Sequence, residues 1–143
     1  MTATPRQVFL SYAREDSTEA DRLAQALQIE GLSVWIDREG IMSGNWKDRV
    51  TTDLARARAV VVLLTSSSLN PLSSVRKELA FAAKKNVPII PVQLGEIPEE
   101  LVSDWFTLDY DELHRHLIDE KNYGDGVKKL AMAIKSLRRH QTH

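Results

Sequence analysis

Six apolar residues stand in a row at Ala59-Val60-Val61-Val62-Leu63-Leu64, with no polar side chain between them. A strand with one face in water alternates apolar and polar residues, whereas a strand buried on both faces reads as an unbroken apolar run. The three valines favour extended chain. This segment is therefore expected to be the central strand of a sheet covered by helices on both sides. It leads straight into a hydroxyl-rich stretch, Thr65 to Asn70.

Shorter segments on either side repeat the alternation of strand and helix. Val8-Phe9-Leu10-Ser11-Tyr12 reads as a first strand, and Glu15 to Glu30 as a helix with Ala20, Leu23, Ala24, Leu27 and Ile29 mostly at helical spacing. Gly31 stands where the glycine that ends a helix belongs. Leu32 to Ile36 is a second strand, followed by a loop from Asp37 to Asn45 and a helix near Trp46 to Ala57. After the central strand, Pro71 suits a first helical turn, and Leu72, Val75, Leu79 and Ala82 share one face. Asn86 closes that helix before a fourth strand, Val87 to Leu94. Ile97 to Val102 reads as one or two helical turns, Trp105 to Leu108 as a short edge strand, and Asp111 to Asp119 as loop or short helix. The last helix, Asp125 to Arg138, turns Val127, Leu130, Ala131, Ile134 and Leu137 inward.

Such alternation implies a mostly parallel sheet between two helical layers, joined by right-handed crossovers. The expected fold class is α/β, a flavodoxin-like three-layer fold with a central five-stranded parallel sheet in the order 2-1-3-4-5. A length of 143 residues suits a single domain over 1–143. Its ordered core is expected from about residue 7 to about residue 138.

Composition removes several function classes. Nineteen Lys and Arg against 20 Asp and Glu leave a net charge of −1, without the basic excess of a nucleic-acid binder. The pairs Lys84-Lys85, Lys128-Lys129 and Arg138-Arg139 read as solvated helix faces. There is no cysteine, which excludes disulfides, thiolate nucleophiles and thiolate metal sites and fits a reducing compartment. Met1 to Gln7 lacks the apolar stretch of a signal peptide, and the longest apolar run is too short to cross a bilayer. A cytoplasmic location with no membrane partner is expected.

Ligands of open α/β sheets bind beyond the carboxyl ends of the strands, where strand order reverses. For this order that point lies between the first and third strands. Ser11, Tyr12 and Ala13 arrive from one side and Thr65, Ser66, Ser67 and Ser68 from the other, with Asp37 on the neighbouring edge. The helix from Leu72 starts at the same crevice. Glu78 lies at the flank of its buried face, and Ser74 is one turn earlier on that flank. On spacing alone Glu78 is either a working carboxylate on the rim or a plain surface glutamate.

Other chemistries lack their parts. No Gly-x-Gly-x-x-Gly or Walker A run cradles phosphates, and the serines after the central strand lack a Gly-x-Ser-x-Gly elbow. They read as turn and capping residues. His114-Arg115-His116 has no third ligand, so no metal is expected. A phosphoacceptor receiver domain needs an aspartate just after the third strand, where Thr65 stands.

Taken in order, these segments resemble the TIR (Toll/interleukin-1 receptor) domain family over nearly the whole chain. Val8 to Ala13 followed by Asp16 looks like the family's opening box. Gly31-Leu32 through Trp35-Ile36-Asp37 looks like its second strand, and Ile41, Gly44 and Trp46 match its BB loop and the tryptophan opening the next helix. Ala59 to Ser67 matches the third strand and its serine-rich exit, and Arg76-Lys77-Glu78-Leu79 with Ala82 the glutamate-bearing helix. In overall style the sequence is similar to bacterial members of the NAD-cleaving type.

The resemblance implies one of two activities. Some members are adaptors that act by TIR–TIR association; others cleave NAD+ into nicotinamide and ADP-ribose or a cyclic isomer, with the glutamate that aligns with Glu78. NAD+ is then substrate rather than cofactor, and no bound cofactor is implied. Ser11, Tyr12, Ala13, Asp37, Trp46, Ser66 and Ser74 would line its site. Tyr12 either encloses a ring or belongs to the core, and Trp46 either anchors the BB loop or touches substrate. The loop Arg38, Glu39, Gly40, Ile41, Met42, Ser43, Gly44 and Asn45 would meet a neighbouring copy in a homotypic assembly. One position departs from the family's enzymes: Ser74 stands where they commonly carry a tryptophan.

Overall fold

A computed structural model describes residues 8–36, 57–69, 75–100 and 116–137, apart from the side chains of residues 76–78, 80 and 81. Five parallel strands form one sheet: β1 (Val8–Ser11), β2 (Val34–Ile36), β3 (Ala59–Leu64), β4 (Ile89–Leu94) and β5 (His116–Ile118). Their order is β2-β1-β3-β4-β5, the doubly wound flavodoxin-like arrangement expected from the alternation. Val8 pairs with Val34 on one side and Ala59 on the other.

Strand alternation divides the core into two layers. Val8 and Leu10, Ala59, Val61 and Leu63, and Ile90 and Val92 pack with α1 (Ser17–Ile29) and with α3 (Tyr123–Ser136). On the opposite face Phe9, Val60, Val62 and Leu64 meet α2 (Val75–Lys84) through Val75, Leu79 and Ala82. Every residue of β3 is buried, which is why the central run needs no polar member. Each valine or leucine so buried contributes about 1.5–3 kcal/mol relative to exposure.

The helices stop where the sequence punctuates them. At the end of α1, Gly31 has φ 96°, its N–H donates to the Gln28 carbonyl at 3.0 Å, and Leu32 N–H donates to the Leu27 carbonyl at 3.1 Å. Asn86, φ 59°, does the same after α2, with its N–H on Ala83 at 3.1 Å and Val87 N–H on Ala82 at 2.9 Å. Both are Schellman motifs, and both place a buried residue, Leu32 or Val87, just past the turn. Lys135 Nζ donates to the Glu30 carbonyl, so α3 supplies a cation to the carboxyl end of α1.

Three expectations need correction. The segment read as loop or short helix, Asp111 to Asp119, contains the fifth strand, which pairs with β4 from Val92↔His116 to Leu94↔Ile118. Three residues with only Ile118 buried are too short to show a period of two. Ile29 is 83% exposed, because it lies away from the face set by Ala20, Leu23, Ala24 and Leu27. The first helix also begins later than Glu15: Arg14–Asp16 is a 3-10 turn, and α-helical backbone starts at Ser17.

Ile97 is buried, and helical backbone begins at Glu99. The helix expected near Trp46, the strand expected at Trp105 to Leu108, and Leu72 lie outside the described residues. Among the described residues no helix is long and apolar enough to cross a membrane.

Candidate functional site at the carboxyl ends of β1 and β3

β1 and β3 run side by side from Val8↔Ala59 to Ser11↔Val62 and then part. From Ser11 the chain passes to α1 on one face of the sheet, and from Leu64 it passes toward α2 on the other. Chains leaving in opposite directions open a crevice, the switch point of this topology.

The wall after β3 is a tight turn built from hydroxyl groups. Thr65 N–H donates to Ser68 Oγ at 2.9 Å, and Ser68 N–H donates to Thr65 Oγ1 at 3.1 Å. Ser68 Oγ donates in turn to the Thr65 carbonyl at 3.2 Å, and Leu69 N–H reaches the same oxygen at 3.0 Å. Short hydroxyl side chains thus take the place of ladder partners as the strand ends, which explains the serine-rich exit. Ser68 is fully buried in consequence, Ser67 is half-buried and Ser66 is exposed at the outer corner.

The wall after β1 carries Tyr12, Ala13 and the 3-10 turn. Asp16 N–H closes that turn on the Ala13 carbonyl at 2.8 Å. The Asp16 carboxylate reaches across the crevice, where its Oδ2 accepts a 2.5 Å hydrogen bond from Thr65 Oγ1. Burial pushes the Asp16 pKa up; the Thr65 hydrogen bond pulls it down, and the charges of Glu19 and Glu15 add to the rise. In the sequence Asp16 belongs to the opening box and carries no evident role. Within the helix expected from Glu15 it falls in the first turn, where an acidic residue suits the helix dipole and nothing signals a bond across the sheet.

The structure brings some of the expected residues together. Ser11 and Ala13 are buried at 1% and 3% exposure, and Tyr12 is half-buried against the core layer of α1 and α3. Ser66 stands on the facing turn. Glu78 is the fourth residue of α2, between buried Val75 and Leu79. Asp37, Trp46, Ser74 and the loop from Arg38 to Asn45 lie outside the described residues.

Away from the switch point, a concavity of about 320 Å³ opens at the ends of β4 and β5, lined by Leu94, Ile118, Glu19, Arg22, Glu120 and Tyr123 among others. No expected site residue lines it. Arg22 spans its rim, 2.6 Å from Glu120 and 3.8 Å above the Tyr123 ring centroid. With the guanidinium engaged on both sides, this place reads as a staple between α1 and the start of α3.

The chain is thus a doubly wound α/β domain, its switch point walled by a hydroxyl-built turn after β3 and by Tyr12, Ala13 and a 3-10 turn after β1. A TIR domain family model matches residues 8–131, and the chain belongs to the TIR domain family. It is similar to the NAD(+) hydrolase sarm1 of Drosophila melanogaster, 27% identical over an alignment 142 positions long that covers 80% of this chain and 10% of that protein. The NAD(+) hydrolase SARM1 of Danio rerio is 31% identical over 93 residues, 59% of this chain and 13% of that protein. The chain thus spans only a small part of the length of these curated relatives. Among solved structures, the TIR domain of the Toll-related receptor TRR-2 from Hydra magnipapillata has a TM-score of 0.64 at 17% identity, over 90% of this chain and 98% of that one. That likeness is one of fold.

Proposed function

We propose that this TIR domain is of the NAD-cleaving type, in the bacterial style its sequence resembles. It would break the nicotinamide–ribose bond of NAD+ with Glu78 as the key carboxylate. The observation that carries the reading is the position of Glu78: it lies early in the helix that follows the crevice turn, in a family whose relatives matched here include two NAD(+) hydrolases.

The chemistry suits a single carboxylate. Cleavage passes through an oxocarbenium-like transition state. Ordinary glycosides need an acid to protonate the leaving group, but nicotinamide departs from a cationic pyridinium as a neutral base and takes the bonding electron pair with it. The carboxylate then stabilises the positive charge developing on the ribose and holds its hydroxyls. Attack by water at the anomeric carbon gives ADP-ribose and releases one proton; attack by a nucleophile within the same molecule gives a cyclic isomer. Self-association through the loop Arg38 to Asn45 would activate the site, in a defence, virulence or signalling role. Head-to-tail contacts of that kind form open filaments unless their rotation closes a ring.

Ser74 favours a second reading, a non-catalytic module for TIR–TIR interaction, because a small hydroxyl replaces the aromatic side chain common in family enzymes. The test is nicotinamide release from NAD+ by concentrated protein, with and without a crowding agent, compared with Glu78→Ala. Release that vanishes in the variant supports the hydrolase. No release in any assembled state leaves the interaction module.

A further inference from the structure

Asp16 occupies the N-cap of α1, where an aspartate ordinarily accepts from the N–H groups of the first helical turn and stabilises the helix by about 1 kcal/mol. Its side chain makes no such bond. The carboxylate is turned to Thr65 instead, on the far wall of the crevice and 49 residues along the chain. Burial also disfavours its ionised form. Local helix preference and solvation therefore both oppose the observed arrangement. Breaks with local preference of this kind concentrate at functional sites.

At the other end the Thr65 hydroxyl is used twice, donating to Asp16 and accepting from Ser68 N–H. The turn it organises carries Ser66 outward. The turn closed by Asp16 N–H on Ala13 carries the backbone leading from Tyr12. One side-chain hydrogen bond thus joins both walls of the crevice.

We propose that Asp16 and Thr65 form a positioning latch for the substrate crevice, holding the exits of β1 and β3 at the separation at which Tyr12 and Ser66 meet the dinucleotide. The inference rests on the NAD+-cleavage reading and deepens it. Neither residue is a catalytic residue. Both act through the walls they hold, so their loss weakens substrate binding more than it slows the bond-breaking step, which falls to Glu78 on a different helix.

The test compares the assembled wild-type chain with D16A, T65V, T65S and the D16A/T65V pair. NAD+ kinetics and amide hydrogen exchange are read on the same samples. D16A and T65V are each expected to raise KM about tenfold with kcat within about threefold of wild type. T65S keeps the hydroxyl and is expected to behave as wild type. The pair should be no worse than T65V alone, because T65V already removes the Asp16 bond together with the acceptor for Ser68 N–H. Exchange at Ser68 N–H should speed up about tenfold in D16A while the amide of Val62, inside β3, is unchanged. A wild-type KM in D16A together with unchanged Ser68 exchange overturns the latch. If wild-type protein releases no nicotinamide, the NAD+ reading fails by itself. The latch is then decided by exchange: faster Ser68 exchange in D16A upholds the coupling of the walls, and unchanged exchange overturns it.

Discussion

Gly126 lies so close to Ile118 that a Cβ built on it would come within 2.8 Å of Ile118 Cγ1 and 3.3 Å of Cγ2. The fourth residue of α3 therefore rests directly on the last residue of β5. A glycine inside a helix ordinarily costs about 1 kcal/mol relative to alanine. Here the close approach requires it, and the atoms it meets are at the root of a buried β-branched side chain that cannot swing aside. Gly126→Ala gains the helix propensity but overpacks the contact by about 1–3 kcal/mol. It is expected to lower the urea midpoint. A variant more stable than wild type would mean that β5 shifts freely.

Asp16 and Glu120 should respond to pH with opposite signs. Burial raises the Asp16 pKa, so the folded chain holds that proton more tightly than the unfolded one. Its contribution to stability is full below the ordinary aspartate range and is lost as pH climbs through the raised value. The Arg22 hydrogen bond lowers the Glu120 pKa, so its contribution is present above the ordinary glutamate range and is lost as pH falls through the lowered value. Asp16→Asn, which keeps an acceptor for Thr65, is expected to be more stable than wild type at neutral pH, with the gap closing in acid. Glu120→Gln should be slightly less stable at neutral pH, since both partners of that pair are largely exposed. Chemical denaturation across a pH series reads both.

The two left-handed helix ends differ in what they tolerate. Gly31→Ala places a Cβ at φ 96° and is expected to destabilise by about 1–2 kcal/mol. Asn86→Gly relaxes a residue already at φ 59° and should change stability by less than about 0.5 kcal/mol. Thermal unfolding of the two variants side by side separates a backbone effect from lost contacts, since the nearest atom to a Cβ on Gly31 is Lys135 Nζ, in ordinary contact at 3.7 Å.

Glu78→Gln keeps the size of the side chain and removes its charge. Nicotinamide release is expected to fall by about a hundred- to a thousandfold, the range for losing one electrostatic stabiliser of a transition state. Ser74→Trp introduces the aromatic residue that enzymes of the family commonly carry there. It is expected to lower the KM for NAD+ about three- to tenfold, as one aromatic contact would. Activity in Glu78→Gln close to wild type would remove this carboxylate from the mechanism.

Much of the architecture is legible because burial on both faces leaves a plain mark. Ala59 to Leu64 announces a central strand with bounds that match β3 residue for residue. Gly31 and Asn86 mark helix ends because only residues that tolerate a left-handed backbone stand there. β5 escapes because His116 and Leu117 face outward to differing degrees and one buried Ile118 makes no pattern. The crevice follows from strand order alone. What joins its walls does not, because the Asp16–Thr65 bond links segments 49 residues apart, and in sequence Asp16 is one more acidic residue at the start of a helix.

β1 sits between β2 and β3, and Val8 waits for Ala59, about fifty residues later, to fill its second edge. During synthesis from the amino end, a nascent chain that has reached only β2 has one wall of the crevice and an open strand edge. Every peptide bond through the turn at Thr65 must exist before the two walls can face each other. A site built on this sheet does not grow in strength with chain length; it arises in one step, once its third strand has been made.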